Sequence, residues 1–79
     1  MKVVIAKVDE VYFDGEAVSL TAPGSEGQLT VMGHHMPFIT TLKPGIITVR
    51  GENIPGGAET FGISGGVLEV SQDGVTVIL

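Results

Sequence analysis

The chain has 79 residues, no cysteine, and nine acidic against four basic residues, for a net charge of −5. One small domain fits that length, and such a domain buries only about 60% of the surface its unfolded form exposes, so assembly with partners is expected to help hold it. The lack of cysteine excludes disulfide staples and points to an intracellular protein, while an acidic balance without a Lys/Arg cluster argues against nucleic-acid binding.

Taken in order, the chain reads as strands and turns. The start, MKVVIAKVDE, is like a secretory leader only superficially, because its apolar run ends at Lys7, short of the about 7–15 residues that a leader needs. Residues 2–8 read as a strand apolar on both faces, as in a strand covered on both sides. Residues 11–15 form a short strand ending in an Asp14-Gly15 turn. In residues 16–22, Val18 and Leu20 share one face and Ser19 and Thr21 the other. Pro23-Gly24 supplies turn chemistry.

Residues 28–31 alternate with Leu29 and Val31 inward. Residues 38–42 lead to a turn at 43–45, and a strand follows at 46–50. Residues 51–57 make a loose hairpin tip, and the chain returns along 58–64. Residues 65–71 place Leu68 and Val70 inward and Glu69 and Ser71 outward; Asp73-Gly74 turns the chain into a last strand at 75–79.

No window shows helical spacing of apolar residues over ten or more positions, and 12 glycines disfavour long helices. Short strands with turn signals every 8–12 residues or so predict an all-β fold: a flattened antiparallel β-sandwich or barrel of about 8–10 short strands. No run approaches the ~18 apolar residues of a membrane span, so direct membrane insertion is not expected.

The chemically mixed stretch GSEGQLTVMGHHMP (24–37) holds both histidines. A metal centre needs three or four ligands converging on one point. Adjacent side chains of an extended chain point to opposite faces, so His34 and His35 serve one ion only if the backbone turns sharply between them. The nearest acid in sequence before them is Glu26. A small β-barrel binding a metal or small ligand through His34, His35 and Glu26 therefore stands as the alternative, behind a bend before Pro37 that carries no chemistry.

Ser25 and Ser64 lack the G-x-S-x-G nucleophile elbow and its following helix. The glycine-rich runs GISGG and IPGG open no helix whose N-terminus would hold a phosphate, and Gly65-Gly66 reads instead as a bulge or tight turn. Met32, Met36, Phe38 and Ile39 around the histidines suit either core filling or an adaptable docking face. On these residues alone a binding or assembly module is favoured over an enzyme, with no catalytic residue, metal or cofactor assigned.

Three motifs then resemble one family. GSEGQLTVMGHHMPFITTLKPG (24–45) resembles the signature of the epsilon subunit of F-type ATP synthases, commonly G-S-E-G-E-L-G-I-x-P-G-H-A-P-L-L-T-x-L-K-P-G. SGGVLEVSQDGVTVIL (64–79) is similar to its S-G-G-x-L-E-V followed by V-T-V-L, and VYFDGEAVSLTAPGSEG (11–27) to the stretch leading into the signature. The resemblance implies a non-catalytic rotor subunit of the central stalk, spanning residues 1–79 as one N-terminal β-sandwich of about ten short strands, in line with the strand spacing. It implies binding to the gamma subunit and to the polar loops of the c-ring, and coupling of proton flow to ATP synthesis. Its expected place is the cytoplasmic face of a bacterial inner membrane, as a peripheral part of the complex.

Residue by residue, His35 matches the histidine of G-H-A-P, and with Met36 and Pro37 is expected at the gamma interface. Gly33 and His34 stand for the usual proline and glycine, and Met36 for alanine. Ser25, Glu26 and Gln28 are expected at the c-ring; Gln28 replaces the second glutamate of the motif, so hydrogen bonding persists there but a charge-based contact to an arginine of the ring does not. Residues 1–79 stop at the last strand, where many members continue into a helical hairpin, and the inhibitory and nucleotide-binding roles of that hairpin are expected to be absent. A last expectation is that the C-terminal strand leaves an open edge prone to self-association.

Overall fold

The computed structural model describes residues 1–34 and 36–79. They form nine strands: β1 (Lys2–Lys7), β2 (Glu10–Glu16), β3 (Ser19–Gly24), β4 (Gly27–Met32), β5 (Phe38–Leu42), β6 (Gly45–Arg50), β7 (Ala58–Ile63), β8 (Gly66–Val70) and β9 (Gly74–Ile78). The one helical turn among the described residues is a 3-10 turn, Pro55–Gly57, before β7. No helix among them is long and apolar enough to cross a membrane. The all-β sandwich expectation is thus met.

The strands curl in the order β2-β1-β9-β8-β5-β3-β6-β7, with β4 added to β3. β3 is the corner. Along Ser19–Thr21 it pairs with β6, and at Gly24 it passes to Leu42 of β5. Five strands (β2-β1-β9-β8-β5) and four (β4-β3-β6-β7) therefore face each other across one core. Alternate residues point inward: Val3 and Ile5, Leu20 and Ala22, Ile47 and Val49, Leu68 and Val70, Val75 and Val77 are buried. Ile54, beside the 3-10 turn, plugs one end.

Several local expectations change. Residues 2–7 are covered on one face only: Val3 and Ile5 are buried, Lys2 is exposed and Val4 and Ala6 only half-buried, and Val8 lies fully exposed in the turn to β2. Asp14-Gly15 is not a turn. It lies inside β2, where Gly15 pairs with Val3 and Asp14 meets Lys2 in a 3.0 Å ion pair. The Pro23-Gly24 turn moves two residues on, to Ser25-Glu26. Gly24 ends β3 opposite Gly27, and a Cβ there would lie 2.7 Å from Leu29 Cδ2, so this glycine serves close packing. Gly27 provides the positive φ of 129° that closes the hairpin.

Val18 does not share Leu20's face. It precedes β3, is exposed, and its N–H donates to the Arg50 carbonyl at 2.7 Å. β9 is not an open edge: it pairs parallel with β1 and antiparallel with β8, and the Leu79 N–H donates to the Ala6 carbonyl. The β1–β9 pair runs parallel in an otherwise antiparallel sheet, a long-range pairing that turn signals do not report. The Gly65-Gly66 reading holds: both have φ of 149° and link β7 to β8.

Candidate docking surfaces

The stretch 24–37 does not make one site. Ser25 and Glu26 form the exposed tip of the β3–β4 hairpin. The Ser25 N–H donates to the Thr41 carbonyl at 2.9 Å, and the Lys43 N–H to the Pro23 carbonyl at 2.9 Å, so the tip is held against the β5–β6 connection. Gln28 follows on β4, exposed and opposite Pro23. His34, Met36 and Pro37 are exposed beyond the far end of β4. Six strand residues at about 3.3 Å each separate the two groups by roughly 20 Å.

This separation bears on the metal alternative. Glu26 and His34 lie at opposite ends of one strand, and among the described residues no three His, Asp or Glu side chains come together as a metal-binding group. His34 adopts a left-handed backbone conformation, φ 64°, so the chain does bend sharply at this point. His35 lies outside the described residues, and its expected interface role with it. Ser64 and His34 do not meet either: Ser64 lines a cleft of about 300 Å³ with Lys7, Tyr12, Phe61 and Leu79, where β2 and β7 approach.

A surface that the sequence reading did not single out lies on the outer face of the five-stranded sheet. The register places Val11, Ala6, Ile78, Val67 and Thr41 side by side across β2, β1, β9, β8 and β5. The next row is Asp14, Val4, Thr76, Glu69 and Ile39. Val11 is 62% exposed, Ile78 52%, Val67 41% and Ile39 68%. The exposed apolar residues of this face thus form one contiguous row, with Asp14 and Glu69 beside it, rather than lying scattered. Its sequence signal was the doubly apolar run of residues 2–8: one side of that strand packs on the core, and the other presents Val4 and Ala6 to this outer face.

The outer face of the four-stranded sheet is chemically different. Thr30, Thr21, Thr48 and Thr60 line up across β4, β3, β6 and β7, with the Thr21 and Thr30 hydroxyls 3.0 Å apart. Arg50 and Gln28 sit in the flanking rows, and none of the nine acids points from this face.

The family model for the ATP synthase delta/epsilon chain β-sandwich domain matches residues 1–79. The chain belongs to this family. Among curated relatives of this delta/epsilon sandwich, ATP synthase epsilon chain 2 of Burkholderia orbicola is 39% identical over 78 residues, covering 99% of this chain and 51% of its own length. The epsilon chain of Laribacter hongkongensis is 39% identical over 80 residues, covering 99% and 55%. The delta/epsilon chain in hand thus spans about half the length of these relatives. A chain in the structure of Euglena gracilis mitochondrial ATP synthase (OSCP/F1/c-ring, rotational state 1) superposes with a TM-score of 0.84 at 29% identity, over 96% of this chain and 48% of that one. A chain from the central stalk and c-ring of Tetrahymena thermophila mitochondrial ATP synthase shares the fold, with a TM-score of 0.75 at 21% identity, over 99% and 63%.

Proposed function

We propose that this chain is the β-sandwich of an epsilon-type, non-catalytic central-stalk subunit of an F-type ATP synthase, peripheral to the cytoplasmic face of a bacterial inner membrane. It binds the gamma subunit and the c-ring and helps couple proton translocation to ATP synthesis. The observation that carries this reading is the exposed apolar row Val11–Ala6–Ile78–Val67 on the five-stranded sheet. A small acidic domain keeps such a row only where a partner covers it.

In this reading gamma lies on that face. Ile39 marks its β5 margin, two residues after Pro37, which brings Met36 and Pro37 to the same border. His35 belongs to the same contact by its place in the motif. The c-ring contacts the β3–β4 tip through Ser25, Glu26 and Gln28. The Gln28 amide both donates and accepts hydrogen bonds there, while Glu26 supplies the nearby charge.

The test is co-purification of this chain with its cognate gamma subunit and, separately, with the assembled c-ring. Retention on gamma at micromolar concentration is expected. A chain that elutes alone from both partners contradicts the assignment.

A further inference from the structure

We propose that the free edge of β4 is a strand-pairing site, and that its occupant in the isolated protein is the β4 edge of a second copy. Pro23 has no N–H and stands opposite Gln28, so that pair cannot exchange two hydrogen bonds. The carbonyl of Pro23 and the N–H of Ser25 are directed to Lys43 and Thr41 on β3's other side. By the alternation of an antiparallel ladder, Leu20, Ala22 and Gly24 bond to Val31, Leu29 and Gly27. The backbone N–H and C=O groups of Gln28, Thr30 and Met32 consequently point away from β3. Among the described residues β4 pairs with no other strand.

This edge lacks the usual protection. Residues 27–32 carry no charge and no proline, and β4 has no bulge against β3. The segment is also self-complementary. In an antiparallel pair about a two-fold axis, Thr30 meets Thr30 of the copy and Gln28 meets Met32, so all three outward-facing residues are bonded at once. The same register brings the Glu26 end of one β4 to the His34 end of the other, an acid against an imidazole at both margins.

Charge favours this edge over others. The acids of β2 and its turn, Asp9, Glu10, Asp14 and Glu16, lie on the far edge of the five-stranded sheet. The four-stranded face is free of acids, so joining two β4 edges keeps the strongly negative regions apart. The pairing also continues the threonine row of one sheet directly into that of its copy.

Sedimentation of residues 1–79 from micromolar to millimolar concentration, with amide exchange on the same samples, tests this. Expected are a reversible monomer–dimer equilibrium and protection of the Gln28, Thr30 and Met32 amides that grows with concentration. Thr30→Pro removes an outward N–H, together with the exposed hydroxyl contact to Thr21, and should weaken association by about tenfold or more. Should that variant fail to fold, Thr30→Lys keeps the backbone intact and sets two ammonium groups opposite each other, with the same expected loss. A monomer at every concentration overturns the proposal. So does a dimer that both variants leave intact, or protection of these three amides that appears only when gamma or c-ring is added, which would give the edge to that partner.

Discussion

Phe13 of β2 and Phe61 of β7 meet edge-to-face, ring centroids 6.2 Å apart and planes at 76°. These strands end the sheet order on opposite sides and share no ladder. Aromatic packing therefore closes the seam that hydrogen bonds leave open. Each ring is half-buried against the core. Phe61→Ala should cost about 2–3 kcal/mol, below the range for a fully buried ring. A double-mutant cycle with Phe13→Ala should leave a coupling of about 0.5–1.5 kcal/mol. Urea melts of the four proteins measure both.

The parallel β1–β9 pair brings two backbones close together at Gly74. A Cβ on Gly74 would fall onto the Lys2 carbonyl. Gly74→Ala should destabilise by about 2–4 kcal/mol by forcing β9 away from β1. Gly62, on the outer face of β7, has nothing within 4 Å of the same position. Gly62→Ala should change stability by no more than about 0.5 kcal/mol, and chemical denaturation of the pair of variants separates packing from chain entropy.

Most of the fold is legible in the sequence because alternation is local. Leu29 and Val31, and Leu68 and Val70, are read correctly from neighbours in the chain, whereas the Asp73-Gly74 turn lies one residue earlier, at Gln72-Asp73, with Gly74 already paired in β9. What fails is set at a distance. Asp14-Gly15 has turn chemistry, yet pairing with β1 holds it in a strand. Pro23-Gly24 has it too, yet the glycine pair Gly24 and Gly27 makes the tip two residues later. The outer apolar row joins Val11, near the start of the chain, to Val67 and Ile78 of the last hairpin, and no single window contains it. The 24–37 stretch reads as one segment in the sequence, but the length of β4 sets its Ser25-Glu26 tip and its His34, Met36 and Pro37 end far apart.

The Lys2–Asp14 ion pair is half in water, both side chains 55% exposed. It should contribute no more than about 0.5 kcal/mol and lose that in high salt. Thermal melts of Asp14→Asn at low and high ionic strength check it: a small difference at low salt should vanish at high salt.

Gln28 offers a direct change at the β3–β4 tip. If the c-ring presents a cation there, Gln28→Glu should tighten c-ring binding several-fold, since a hydrogen bond to a charged group is roughly twice as strong as a neutral one. The gain should shrink as salt rises. Titration of the ring with both proteins at two ionic strengths reads this.

In the proposed assembly gamma docks on the apolar face of the five-stranded sheet. Affinity for the cognate gamma subunit, measured for the parent chain, for Ile78→Asp and for Thr48→Asp on the opposite sheet, tests it most directly. Ile78 is exposed, so its replacement should leave the fold intact while placing a buried, unpaired charge in the complex. Ile78→Asp should weaken binding by about 2 kcal/mol or more, roughly thirtyfold, while Thr48→Asp changes it little. Equal affinity for the parent and Ile78→Asp, or a loss confined to Thr48→Asp, would contradict it.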